Sequence, residues 1–250
     1  MTDSILKREN GIPIAYTFER GSRPLCVVYL HGWTAQRHSP KGEAVAHVAR
    51  ARDCCFLSLD YTAHGESGGQ PADFTVGQGI QDVQDVITAT AGDMPLVFVG
   101  NSIGGWIGLW LAESLPQTRG FVGLAPAPDI TEYVWKTLLS DEARAALERG
   151  QIIGPSPETQ GFCLTPDVFA DGRAHQMLKR PIRFNGPVHL VLGDHDERVE
   201  WARLLKIKDM LTSSHVALTL MKGANHHLSR ETDLRAVQAL VSDMVENVLS

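Results

Sequence analysis

Gly100-Asn101-Ser102-Ile103-Gly104 sets a serine two residues from a glycine on either side. A hydroxyl becomes a useful nucleophile when a base removes its proton and fixed donors receive the oxyanion that its attack creates. G-x-S-x-G serves that chemistry on a sharp strand-to-helix turn, where side chains flanking the serine would obstruct the two backbones. The surroundings predict such a turn. Leu96-Val97-Phe98-Val99, bounded by Pro95 and Gly100, is a short apolar run of strand type, and Ile103, Trp106, Ile107, Trp110 and Leu111 follow at helix-face spacing. The turn would hold Ser102 at a helix N-terminus, with the Ile103 N–H available to an oxyanion. Ser102 is the candidate nucleophile, and Trp106, on the helix face, reads as packing.

The same spacing recurs at Gly65-Glu66-Ser67-Gly68-Gly69 in different surroundings. Asp60 to Ala72 mixes polar residues, glycine and proline, and no helix pattern begins after Ser67, so this copy reads as a loop. A nucleophilic serine also needs an imidazole base and a carboxylate to orient it. Asp194, Asp196 and Glu197 follow the apolar run ending at Gly193, and His226 and His227 follow the run Val216 to Met221. The chain order is serine, acid, histidine. Spacing alone leaves the acid open among three residues and the histidine open between two; Asp194 also suits a turn in which its side chain bonds nearby backbone.

For these residues to meet, the strands that carry them must lie side by side and end together. Ser4 to Lys7 and Ile12 to Phe18 flank Asn10-Gly11 and predict an opening antiparallel hairpin. Apolar runs at 25–30, 54–59, 96–99, 120–124, 188–192 and 216–221 predict six further strands. Helix patterns lie around 44–49, 75–91 (with Asp73 as candidate N-cap), 103–111, 201–210 and 234–249. The alternation predicts an α/β fold with a mostly parallel eight-stranded sheet and helices on both faces, in which ligands bind beyond the strand carboxyl ends. Alternation stops between Leu124 and Val188. Residues 130–139, 141–147 and 173–179 read as helices and 150–166 as loop, so 127–183 predicts a helical cap inserted into a single domain, 1–250. Its apolar underside suits an acyl chain, and Tyr133, Trp135 and Phe162 are candidate pocket residues, although such residues also serve the cap's own packing. Arg37, His38 and Lys41, after Trp33, read as a solvated basic loop, with contact to an anionic substrate group as the alternative.

A net charge of −6 over 250 residues argues against a nucleic-acid or anionic-membrane partner. No apolar run approaches a membrane span, and the polar start Met1-Thr2-Asp3-Ser4 is unlike a signal or transit peptide. Cys26, Cys54, Cys55 and Cys163 lack metal-ligand spacing, so neither a metal nor another cofactor is expected, and reduced core cysteines point to a cytoplasmic setting. Nothing in the sequence specifies an oligomeric state.

These motifs together resemble the α/β-hydrolase superfamily over nearly the whole chain. They are His31-Gly32, Asp60 with Gly65 and Ser67, Gly100 through Trp106, Gly193 with Asp196 and Val199, and His226. The resemblance implies a Ser102–His226–Asp196 triad and an oxyanion hole from the backbone N–H groups of Trp33 and Ile103. The Gly-Trp after the serine loop, Asp60-Tyr61 and the Val199 to Trp201 segment are similar to the mitochondrial acyl-protein thioesterase and acyl-glucuronide esterase branch. One departure is Trp-Thr after His-Gly, in place of the further glycines of some lipases and esterases. The expectation is a serine hydrolase that cleaves carboxylic esters or thioesters through an acyl-enzyme. Carbon–carbon bond hydrolysis or perhydrolysis on the same triad, and non-catalytic ligand binding on the same scaffold, are the alternatives.

Overall fold

The computed structural model describes residues 3–156, 159 and 161–250. Its strands are β1 (Asp3–Leu6), β2 (Ile14–Glu19), β3 (Arg23–Leu30), β4 (Cys54–Leu59), β5 (Leu96–Asn101), β6 (Thr118–Leu124), β7 (Val188–Gly193) and β8 (Val216–Met221). They form one sheet in the order β1-β2-β4-β3-β5-β6-β7-β8, in which β2 runs antiparallel to β1 and β4 and all other pairs are parallel. β4 and β5 are buried throughout, and a strand covered on both faces shows a continuous apolar run rather than alternation. β3 has β4 on one side and β5 on the other, so the crevice beyond the ends of β3 and β5 is the switch point of the sheet.

The helices are α1 (Pro40–Ala51), α2 (Val76–Ala89), α3 (Ile103–Ser114), α4 (Ile130–Tyr133), α5 (Asp141–Glu148), α6 (Pro166–Ala174), α7 (Trp201–Met210) and α8 (Glu231–Leu249). Adjacent residues of β6 show how two of them are layered. A side chain at Gly120 would strike Met244 of α8, whereas Phe121 packs beside Gly108 of α3, and neighbouring strand residues point to opposite faces. Close helix–sheet approach on both sides is therefore written into single positions of one strand. Among the described residues no helix is long and apolar enough to cross a membrane. All four cysteines are free and buried.

Several local expectations change. Asp3 pairs with Thr17 and Leu6 with Ile14, so the opening antiparallel hairpin is present, with residues 7–13 joining its strands where the patterns leave 8–11 between them. Arg8 anchors this connection, its guanidinium reaching Asp82 and the Thr62 hydroxyl. Thr75, not Asp73, caps α2: its hydroxyl accepts the Gln78 N–H at 3.1 Å, while Asp73 closes a short turn by accepting the Gln70 N–H at 2.7 Å. In the segment between β6 and β7, a helix occupies Pro166–Ala174 and not 173–179. Thr165 caps it and Pro166 stands at its first turn, a start signal present in the sequence. Val134, Leu147, Leu164 and Phe169 give this segment a small apolar cluster of its own. The buried Asp129 carboxylate, accepting the N–H groups of Met177 and Leu178 at 2.8 and 3.0 Å, ties its start to its end.

Candidate active site

Ser102 stands between β5 and α3 with φ 54° and ψ −117°, a backbone conformation that non-glycine residues rarely adopt. Its own backbone sets the turn: the Ser102 N–H donates to Leu124 O at 3.0 Å, and its carbonyl accepts from Gly105 N at 2.9 Å and Ala127 N at 3.0 Å. The glycines are sterically required here. A Cβ at Gly100 would lie 2.3 Å from the Gly104 carbonyl oxygen, and one at Gly104 would lie 2.3 Å from that of Leu30. Trp106 is fully buried, as its helix-face position predicts, and its indole N–H donates to His175 O at 3.1 Å, fastening α3 to the end of α6.

β7 and β8 end level, with Gly193 paired to Met221, and this brings the following loops together. There the structure separates candidates that spacing left open. The buried His226 ring places Nδ1 at 2.9 and 3.1 Å from the two carboxylate oxygens of Asp196, whereas His227 is exposed. Asp194 turns away, accepting the Gly223 N–H, and Glu197 is exposed. Burial alone would raise the Asp196 pKa, but hydrogen bonding and charge from His226, with the N–H groups of Val199 and Arg198, outweigh it. The carboxyl therefore lies below its ordinary range and is ionised at neutral pH. Ser102 and His226 line the same two cavities. Among the described residues no hydrogen bond joins them, and such contacts often tighten only with substrate in place.

The loop after β3 meets Ser102 across the switch point. The backbone N–H groups of Trp33 and Ile103 have no acceptor among the described residues. Beneath this loop the wholly buried His31 ring contacts Gly32 O through Nδ1 at 2.8 Å. Burial, with a smaller contribution from the neighbouring His64, drives the His31 pKa down from 6.5 to about 3. The unfolded chain thus takes up a proton between about pH 6.5 and 3 that the folded chain refuses, so this contribution to stability is complete above pH 6.5 and declines as pH falls. Buried Asp82 and Asp129, whose pKa values burial raises, act in the opposite sense. Comparison with His31→Asn isolates the histidine: the stability difference between wild type and variant should shrink by about 1.4 kcal/mol per pH unit on acidification below 6. Urea denaturation at several pH values measures it, and a difference independent of pH would contradict a neutral, buried His31.

Two cavities flank Ser102. The first is apolar, with Ile130, Tyr133, Val134, Leu138 and Phe162 in its wall. The second is more polar and contains Tyr29, Ser39, Lys41, Asn101 and His227. Trp33 and Phe162 stack at 4.5 Å between ring centroids and contribute to both walls. Tyr133 and Phe162 thus stand where a pocket was expected, but Trp135 does not. Its indole packs edge-on against Phe169, 4.9 Å away, and borders a separate surface hollow, because successive positions of a helical turn face different directions. Nor is Arg37 a solvated loop residue. It is buried against Asp60 and Glu66, with its N–H donating to Asp60 at 2.7 Å. Ser67, as its surroundings predict, is structural: its hydroxyl donates to Asp60 O at 2.6 Å and accepts the Ala15 N–H at 2.8 Å. Arg198 lines both cavities and was not singled out from the sequence; its only signal there was its place two residues after Asp196.

A strained serine at the sheet's switch point, facing a carboxylate–imidazole pair across an apolar cavity, places the protein among hydrolases of this architecture. The model of the alpha/beta hydrolase family matches residues 27–240, and the chain belongs to that family. Mouse palmitoyl-protein thioesterase ABHD10, mitochondrial, is 28% identical to it across 98% of this chain and 83% of its own length. The solved structure of alpha/beta hydrolase domain-containing protein 10 from mouse covers 100% of both chains at 27% identity, with a TM-score of 0.87. A putative hydrolase from Agrobacterium vitis S4 covers 97% of this chain and 98% of its own at 26% identity, with a TM-score of 0.89. The thioesterase branch suggested by the motifs is thus represented among its relatives.

Proposed function

We propose that the protein hydrolyses carboxylic esters or thioesters through an acyl-enzyme on Ser102. His226 takes the hydroxyl proton as Ser102 Oγ adds to the carbonyl carbon, while the Trp33 and Ile103 N–H groups receive the oxyanion. It hands that proton to the departing alkoxide or thiolate as the C–O or C–S bond breaks. A water, deprotonated in turn by His226, releases the carboxylic acid and restores Ser102. Asp196 keeps the imidazole in the tautomer with Nδ1 protonated and Nε2 free to act as base. The carrying observation is that Ser102 shares an apolar cavity with an imidazole held by a buried carboxylate.

Segment 127–183 acts in this reading as a cap over the acyl group. The apolar cavity has a volume of about 100 Å³ and opens beside Leu138, which is 56% exposed, so a chain that outgrows the cavity runs out past Leu138. Across acyl thioesters of graded length, kcat/KM should rise about fourfold for each of the first few methylenes buried and then level off. A steady fall from acetyl onward would contradict an acyl role for this cavity.

A further inference from the structure

The polar cavity on the other side of Ser102 has a distinct charge character. Its volume is about 280 Å³, and among the described residues its wall contains Lys41 and Arg198 but neither an aspartate nor a glutamate. Lys41, on the first turn of α1, is held in place by donating to the carbonyl oxygen of His227. The Arg198 guanidinium has no hydrogen bond or ion pair among the described residues, although the exposed Glu197 and Glu200 are its near neighbours in sequence. Glu197 shares the apolar cavity with Arg198 and Glu200 a further hollow, so on the wall of the polar cavity the half-buried guanidinium is left free to engage an anionic ligand. Arg37, close by in sequence, shows the contrast, because its charge is consumed by Asp60 and Glu66. Ser102, His226, Trp33, Phe162 and Arg198 border both cavities, so the reacting carbonyl would sit at their junction. With the acyl group in the apolar cavity, the departing group has the cation-lined one.

We infer that Lys41 and Arg198 form a leaving-group subsite selecting alcohols or thiols that carry a carboxylate or phosphate a few atoms from the scissile bond. The inference rests on the hydrolytic reading above. An anion placed there is partly shielded from water by the Trp33–Phe162 stack, so each cation contributes a charge-assisted hydrogen bond. Burial lowers the Lys41 pKa to about 8, so the ammonium predominates at neutral pH.

The test uses one acyl group on three thiols: neutral 2-mercaptoethanol, 3-mercaptopropionate, and 2-mercaptoethyl phosphate. Wild-type kcat/KM on at least one anionic thioester should exceed that on the neutral one by roughly tenfold or more, and the ratio should fall as salt is raised. A preference confined to one anion identifies which group the subsite holds. In Lys41→Met and Arg198→Met the ratio should collapse towards one, whatever the absolute rates, and Lys41→Arg should retain most of it. Equal wild-type rates on neutral and anionic thioesters, or a preference surviving both methionine substitutions, would overturn the inference. Failure to hydrolyse any of the three, the neutral one included, would instead count against the hydrolytic reading.

Discussion

Ser102→Ala should lower kcat on a nitrophenyl acyl ester or an acyl thioester by roughly 10⁴- to 10⁶-fold while leaving the protein folded. The residual rate would be what the oxyanion donors and substrate binding supply without a nucleophile. The fold should survive because the turn is held by the Ser102 backbone and by glycines that approach other backbone atoms, not by the hydroxyl. The same conformation yields a second readout. At φ 54° and ψ −117° any Cβ is strained, so Ser102→Gly should be more stable than Ser102→Ala by about 1 kcal/mol though equally inactive. A fluorophosphonate should label wild type at Ser102 and neither variant. Near-full turnover by Ser102→Ala would remove Ser102 from the chemistry.

Asp196→Asn should cost about 10⁴-fold in kcat, and Asp194→Asn no more than a few-fold. Their contacts explain the difference. Asp196 Oδ1 accepts the N–H groups of Arg198 and Val199 at 2.8 and 2.9 Å, and the His226 Nδ1 faces both carboxylate oxygens. An asparagine can keep the backbone bonds with its carbonyl oxygen, which directs its NH₂ at the imidazole. Two donors then oppose each other, and the ring escapes by moving its proton to Nε2, the atom required as base. Asp194 is exposed and, among the described residues, accepts only the Gly223 N–H, which an amide oxygen also does. Steady-state kinetics with urea denaturation separates a catalytic defect from a folding one, and a larger loss in Asp194→Asn would move the acid to that position.

The legible parts of this protein were those governed by local chemistry. Apolar runs such as 54–59 and 96–99 read as buried strands, and G-x-S-x-G between a strand and a helix pattern predicted the sharp turn at Ser102. Elements that misled did so because distant partners overrode local signals. Asn10-Gly11 marks the hairpin that forms, but the reach of Arg8 from its connection to Asp82 and Thr62 has no local signal. Arg37 looks like a solvated loop residue because nothing in sequence announces that Asp60 lies beside it.

By itself, the sequence determined the layered α/β architecture, the turn that presents Ser102 as candidate nucleophile and the strand ends that carry the candidate acid and base, since periodicity and glycine sterics act over a few residues. Tertiary structure alone separated His226 from His227 on geometry and removed Trp135 from the apolar pocket. It also set Lys41 and Arg198 in one cavity. Those distinctions depend on which way a side chain points once β7 and β8 end level and the segment between β6 and β7 packs against Trp33, and adjacent residues share spacing and composition while facing different neighbours.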